Sequence, residues 1–173
     1  MLEKEPLEKL TARTVLETLP PFPIVLVTTR TNVITINQLA YFTFAPLRLG
    51  IAVAHTRHTH GLLAEEREFV INVPDESLVA AVKICGRISG RDRDKFSDAG
   101  LTREDSSQVA AVSIAECGAS IECRVEQTLD FEDRTWFIGP VVATRMHPEH
   151  RPSHSLLCGR AAYFVTGRMV TQR

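Results

Sequence analysis

Apolar residues along the chain fall in short blocks, most of which alternate with polar or small residues. Ile24-Val-Leu-Val-Thr-Thr29 is a β-branched run bounded by Pro20, Pro21 and Pro23, and it predicts a buried strand. Thr31-Asn32 is a candidate tight turn into a second strand over Asn32 to Gln38. Leu49, Ile51 and Val53 alternate with Gly50, Ala52 and Ala54, the period of two that marks a strand. Phe69, Ile71 and Val73 repeat the pattern until Pro74 stops it. Ile121, Cys123 and Val125 alternate with Glu122, Arg124 and Glu126, which predicts a strand with one wet face. Trp136 to Thr144 and Ala161 to Thr166 are further strand candidates.

Helical spacing is rarer. Leu7, Leu10, Val15 and Leu16 predict a short helix within 7–18, ended by the prolines that follow, because proline lacks an amide proton and clashes with the preceding turn. Gly61 to Arg67 has room for two turns. Leu78, Val79, Val82 and Cys85 share a stripe over Glu76 to Cys85, with Asp75 as N-cap. Asp92 to Ala99 predicts one more helix, closed by Gly100. Many short strands with few helices predict a mainly β chain, folded as an antiparallel barrel and not as a parallel α/β sheet. No internal repeat or low-complexity segment divides it. The expected organisation is a helical extension over 1–19 and one β-rich domain over 20–173.

Composition narrows the partners. A chain of 173 residues buries about 70% of its unfolded surface and needs no staple to fold. Its 20 Lys plus Arg against 21 Asp plus Glu give a net charge of -1, which removes the electrostatic reason to expect nucleic acid or an anionic membrane. No apolar run approaches the ~18 residues of a membrane span. Met1-Leu-Glu-Lys-Glu-Pro6 has no apolar core of a signal peptide, so a cytoplasmic protein is expected. Cys85, Cys117, Cys123 and Cys158 contain no C-x-x-C pair, which argues against a zinc ribbon or a dithiol redox centre. They read as reduced, buried, small apolar residues.

Three stretches carry candidate chemistry. In His55-Thr-Arg-His-Thr-His60, between a strand and a helix, Thr56 and Thr59 flank Arg57. A planar guanidinium fork, two hydroxyls and a helix start all favour an anion such as phosphate. The competing reading is a helix N-cap with a solvated arginine. All six histidines sit either here (His55, His58, His60) or in Met146-His-Pro-Glu-His-Arg-Pro-Ser-His154; the first cluster shows no recognised metal-ligand pattern, and the second is proline-broken and reads as loop. Gly86-Arg-Ile-Ser-Gly-Arg-Asp-Arg-Asp-Lys-Phe96 is a dense charged stretch without the Lys-Ser or Lys-Thr of a nucleotide-hydrolase phosphate loop. No Gly-x-Gly-x-x-Gly occurs, and no nucleophile elbow or Ser-x-x-Lys. No catalytic side chain stands out, so the reactive atoms of an enzyme with this sequence would belong to a bound cofactor.

Taken together, from about Pro20 to Tyr163, these stretches resemble the flavin reductase-like family, which includes the flavoredoxins and carries FMN in a Greek-key split β-barrel. Ile24 to Arg30 resembles the family's opening strand. Asn32-Val-Ile-Thr35 is similar to its Asn-x-Met-Thr segment along the flavin ring, and Thr56-Arg57-His58-Thr59 to its phosphate-binding Ser-Arg-Tyr-Thr. Phe69-Val-Ile-Asn-Val-Pro74 resembles Phe-x-Val-Asn-x-Pro, and Ser89 to Phe96 matches Ser-Gly-Arg-x-x-Asp-Lys-Phe. Ala115-Glu-Cys117, Ile121-Glu-Cys123 and Phe137-Ile-Gly139 complete the set. The chain departs in a very short Arg30-Thr31-Asn32 turn, in Gln38 where a Trp is common, and in Pro46-Leu47 for a Pro-Pro pair.

The resemblance implies that Thr56, Arg57 and Thr59 hold the FMN phosphate, with Lys95 also reaching it. It implies that Asn32, Ile34 and Thr35 contact the ring or ribityl chain, and that Asn72 belongs to the pocket or else bonds a neighbouring strand. It further implies a homodimer and an NAD(P)H-dependent flavin reductase, delivering electrons to free flavin, a partner monooxygenase or another acceptor. A flavoredoxin-type electron carrier without NAD(P)H activity is the other reading.

Overall fold

The computed structural model describes residues 11–160 and 162–166, so the part of the expected first helix over residues 7–10 lies outside it. In chain order come α1 (Ala12–Leu16), β1 (Phe22–Pro23), β2 (Val25–Thr28), β3 (Val33–Ile36), β4 (Leu39–Phe44) and β5 (Leu47–Ala54). Next are α2 (His58–Glu66), β6 (Glu68–Val73), α3 (Val79–Arg87), α4 (Lys95–Ala99), β7 (Arg103–Glu104) and β8 (Ser113–Ile114). The chain closes with β9 (Ala119–Arg124), β10 (Gln127–Asp130), β11 (Arg134–Met146), β12 (Leu156–Cys158) and β13 (Tyr163–Val165).

The main sheet runs β3-β2-β6-β9-β11-β5-β4, with β10 also beside β11, and its pairings are antiparallel. β11 organises it. The first half of this strand pairs with β5, Thr135 opposite Val53, and on its other edge with β10, Thr135 opposite Asp130. Its second half turns to β9, Thr144 opposite Ile121, after a register shift between Val141 and Ala143. A strand that changes partner at a bulge bends the sheet, here into a curled half-barrel. A smaller sheet, β1-β12-β13, lies beside it.

Both faces of β2 are buried, which is why Ile24 to Thr29 reads as a continuous apolar run. Val25 and Val27 face the core inside the curl with Ile51, Phe69, Ile71 and Phe137. Ile24 and Leu26 face a second core, roofed by Val82 and Cys85 of α3 and Phe96 of α4. Cys85, Cys117 and Cys123 are buried free thiols, and burial pushes Cys85 up to about 11 and Cys123 up to about 12. No helix among the described residues is long and apolar enough to cross a membrane.

Two helices begin elsewhere than expected. α2 starts three residues before Gly61, because the His60 amide closes a first turn onto the Arg57 carbonyl at 3.0 Å. α4 starts at Lys95, since the Asp94 carboxylate accepts from the Phe96 amide at 3.0 Å; Gly100 ends it in the left-handed region at φ 64. Asp75 caps the expected site, but over a 3-10 turn, Glu76–Leu78, that precedes α3.

The expected wet face of β9 is wrong at Glu122, which is 0% exposed. The loop between β7 and β8 folds over it, and its carboxylate accepts the Ser107 amide at 2.8 Å, the Ser107 hydroxyl at 2.9 Å and the Gln108 amide at 2.7 Å. Burial alone would raise its pKa, but these bonds and the Arg145 charge together carry it below the ordinary value. A depressed carboxylate stabilises the fold above its unfolded pKa and withdraws that support as pH falls through the folded one. The midpoint of thermal unfolding is therefore expected to drop on acidification below about pH 4.5 more steeply in the wild type than in Glu122→Gln. Parallel curves in differential scanning calorimetry would show that the carboxylate does not anchor the loop.

Candidate functional site

The site begins where β5 hands over to α2. Arg57 occupies the N-cap position in extended backbone, and no side chain caps the helix start. Arg57 thus stands exposed at the N-cap, as the competing reading has it, and with the His60 amide spent on the Arg57 carbonyl it is the His58 and Thr59 amides that remain available to an anion. Thr59 in that first turn is buried, and its hydroxyl accepts from Asn32 Nδ2 at 2.8 Å, which leaves the hydroxyl proton free to be donated onward. Asn32 is itself buried and is backed by Gly90, whose hydrogen is all that fits: a Cβ there would collide with the Asn32 amide.

The opposite wall comes from the end of α3 and the loop after it, Cys85 to Arg91, and Lys95 reaches in from α4. With Ile34 and Thr56 to Thr59 these enclose a cavity of about 150 Å³. Lys95 is buried, and its ammonium donates to the Val33 carbonyl at 2.8 Å and the Cys85 carbonyl at 3.0 Å, so two of its three protons are fixed. Burial lowers its pKa, with Arg57 acting in the same direction and Cys85 against it. Four cations, Arg57, Arg87, Arg91 and Lys95, line the cavity, and among the described residues no carboxylate does. Among the described residues, none of these three arginines forms an ion pair. Unneutralised charge facing free amides is a demand for an anion.

Of the residues singled out in the sequence, Ile34, Thr56, Arg57, Thr59 and Lys95 meet at this cavity, and Asn32 stands directly behind Thr59. Thr35 opens instead into a neighbouring cleft of about 550 Å³ with Val82, Lys83, Gly86, Arg87 and Tyr163, where its hydroxyl donates to the Val82 carbonyl at 2.6 Å. Arg87 borders both spaces. Asn72 does not line the cavity. It is 0% exposed, with Nδ2 donating to the Leu26 carbonyl and the Thr28 hydroxyl, each at 3.1 Å, and Oδ1 accepting from the Ile114 amide and the Ser120 hydroxyl, each at 2.9 Å. That network clamps β2, β6, β8 and β9, so the second of its two expected roles is the one realised.

Arg87, Ser89, Gly90 and Arg91 were not assigned roles from sequence, although the Gly86 to Phe96 stretch contains them all. The missing signal was that the fold sets Gly90 against Asn32 and brings Arg87, Ser89 and Arg91 to the same cavity. Gly90→Ala is expected to lower stability by about 1–3 kcal/mol through this overpacking, read as a shift in the denaturant midpoint. An unchanged midpoint would mean that Asn32 moves aside freely. Among the described residues, no group of three or more His, Cys, Asp or Glu side chains is placed to hold a metal ion. His60 instead sits 2.8 Å from the Thr135 hydroxyl, which donates to Asp130 at 2.6 Å.

At about 150 Å³ the cationic cavity is below the ~300–1,000 Å³ of a typical ligand pocket, and it suits the anionic end of a longer molecule whose remainder lies outside. Residues 19–167 match the model of the flavin reductase like domain. An uncharacterized protein of Archaeoglobus fulgidus is 38% identical over 111 residues, 64% of this chain and 63% of that protein, so the chain spans somewhat less than two thirds of this relative. Among solved structures, flavoredoxin of Desulfovibrio vulgaris superposes with a TM-score of 0.85 at 20% identity, covering 98% of this chain and 97% of that one. The NADH:FAD oxidoreductase of Streptomyces globisporus gives 0.82 at 18% identity, with 95% and 100% covered. At these identities the likeness is one of fold, a split barrel.

Proposed function

The chain belongs to the flavin reductase like domain family, and from that premise we propose that it is an FMN-binding oxidoreductase that takes hydride from NAD(P)H and passes electrons to free flavin, a partner monooxygenase or another acceptor. One observation carries the reading: four cations and a helix start without a side-chain cap converge on a cavity that no carboxylate lines among the described residues. The residues present fit a flavin mononucleotide, whose phosphate matches that cavity. When bound, FMN supplies the hydride and electron chemistry that the side chains here lack.

In this reading Arg57 and the Thr56 and Thr59 hydroxyls hold the phosphate, and the third proton of Lys95 is donated to it. Asn32 keeps the Thr59 hydroxyl oriented from behind. Ile34 and Thr35 lie along the ribityl chain and ring, and Arg87 bridges from the phosphate cavity to the larger cleft. The domain is taken to span 20–173, with 1–19 as an extension, in a cytoplasmic homodimer. For the second copy we propose the β4 side of the sheet, where Tyr41 and Phe44 are 67% and 77% exposed.

Mixing the FMN-loaded protein with NADH or NADPH in a stopped-flow tests the activity. Loss of the flavin's visible absorbance is expected with at least one nucleotide. Gln38 in place of the family's usual Trp favours a second reading, a flavoredoxin-like carrier. Retention of colour with both nucleotides, while dithionite bleaches the same sample, would select it.

A further inference from the structure

The larger cleft beside the cationic cavity, about 550 Å³, holds charge that nothing among the described residues answers. Lys83 and Arg87 both line it, and no carboxylate among the described residues does. We infer that this cleft takes the ribose 2′-phosphate of NADPH, and that Lys83 is the residue that makes the protein select NADPH over NADH.

The two cations stand four residues apart on α3, one turn of helix and ~6 Å along its axis at ~1.5 Å per residue. Like charges at that spacing repel, and neither has an ion-pair partner among the described residues. The Lys83 ammonium is kept at the cleft by the half-buried Tyr163 ring, whose centre lies 5.7 Å away and which lines the same space. The other polar side chains of the cleft are neutral. The Thr35 hydroxyl gives its proton to the Val82 carbonyl at 2.6 Å and keeps only acceptor capacity, and Tyr163 adds one phenolic hydroxyl. Charge is therefore what separates one ligand from another here.

A 2′-phosphate is a terminal monoester with ~1.5–2 negative charges at pH 7 and three acceptor oxygens, enough to engage two cations at once. It is also the group by which NADPH differs from NADH. Sites that prefer NADH set a carboxylate against the free 2′-hydroxyl, and sites that prefer NADPH set a cation against the phosphate. This cleft has the second arrangement. Selection falls to Lys83 because Arg87 also borders the cationic cavity, whereas Lys83 faces the cleft and not that cavity. Seating a hydride donor here rests on the proposed reductase activity, whereas recognition of the phosphate does not.

Adenosine 2′,5′-bisphosphate and 5′-AMP differ only in the 2′-phosphate. Titrated calorimetrically into protein saturated with FMN, the bisphosphate is expected to bind at least tenfold more tightly. Lys83→Gln should bring it within twofold of 5′-AMP while FMN affinity stays within twofold of the wild type. Lys83 is exposed, so the variant is expected to keep the wild-type melting temperature. Arg151→Gln, which removes an exposed charge from another loop, should keep the tenfold preference. Equal affinities in the wild type overturn the inference, and so does a preference that survives Lys83→Gln. Loss of the preference in both variants overturns it too, the effect then being one of net charge. Flavin-free protein should give the same pattern, so a failure to bind FMN leaves the test readable. If the bisphosphate keeps its preference but neither NADPH nor NADH bleaches the flavin, the reductase reading falls and the phosphate site stands.

Discussion

Asn72→Leu is expected to destabilise the protein by about 4 kcal/mol while leaving the flavin affinity of the folded fraction unchanged. The substitution keeps the volume and removes five buried hydrogen bonds at one point. The buried Ile114 amide and Ser120 hydroxyl both donate to the Asn72 oxygen and lose it together. Leaving each unpaired costs roughly 1–3 kcal/mol, more than the net worth of the bonds themselves. For a domain of this size, ~2–4 °C per kcal/mol puts the melting temperature lower by about 10 °C. Denaturant unfolding with an unchanged slope would confirm a pure stability effect. Normal stability with weakened FMN binding would return Asn72 to the pocket.

Arg57→Ala should do the reverse, weakening FMN about tenfold with little effect on folding. Arg57 is exposed and makes no ion pair among the described residues, so the fold loses nothing with it. A charge-assisted bond to phosphate is worth ~1.5–3 kcal/mol, and solvent screening at this exposed position takes the estimate to the lower end. Riboflavin supplies the control, since it has the ring and ribityl chain but no phosphate. Its affinity should not change. Equal losses for FMN and riboflavin would show that Arg57 touches the ring side and that the phosphate lies elsewhere.

These two residues also mark what a linear sequence can and cannot disclose. That Arg57 stands at a cavity ahead of a helix was legible because its neighbours suggest the chemistry: hydroxyls on both sides and a helix ahead. The buried strands were legible for the same local reason, their β-branched runs and alternation. β4 and β10 were not, since Gln127–Asp130 is exposed throughout and Leu39–Phe44 turns its aromatic residues outward. Glu122 misled because a surface pattern was written on a strand that a distant loop covers. For Asn72 the sequence left a ligand contact and a strand clamp equally open, and only the fold shows the clamp, because its partners outside β6 come from three other strands. Arg87 and Arg91 needed the fold to bring them opposite Arg57. Local chemistry is readable, and pairing across the sheet is not.

The partner change along β11 has a consequence in time. During synthesis β5 is complete at Ala54 and has β4 for a neighbour, but its other edge waits for Arg134–Pro140. At about 5–20 residues per second this wait lasts on the order of ten seconds. Through that interval Ile51 and Val53, which end in the core, have no strand to cover them. β9, with β6 on its one side, waits in the same way for the second half of the same strand on its other. Until β11 leaves the ribosome the nascent chain is two unfinished sheets, and its dependence on holdase chaperones should end abruptly once that one strand is made.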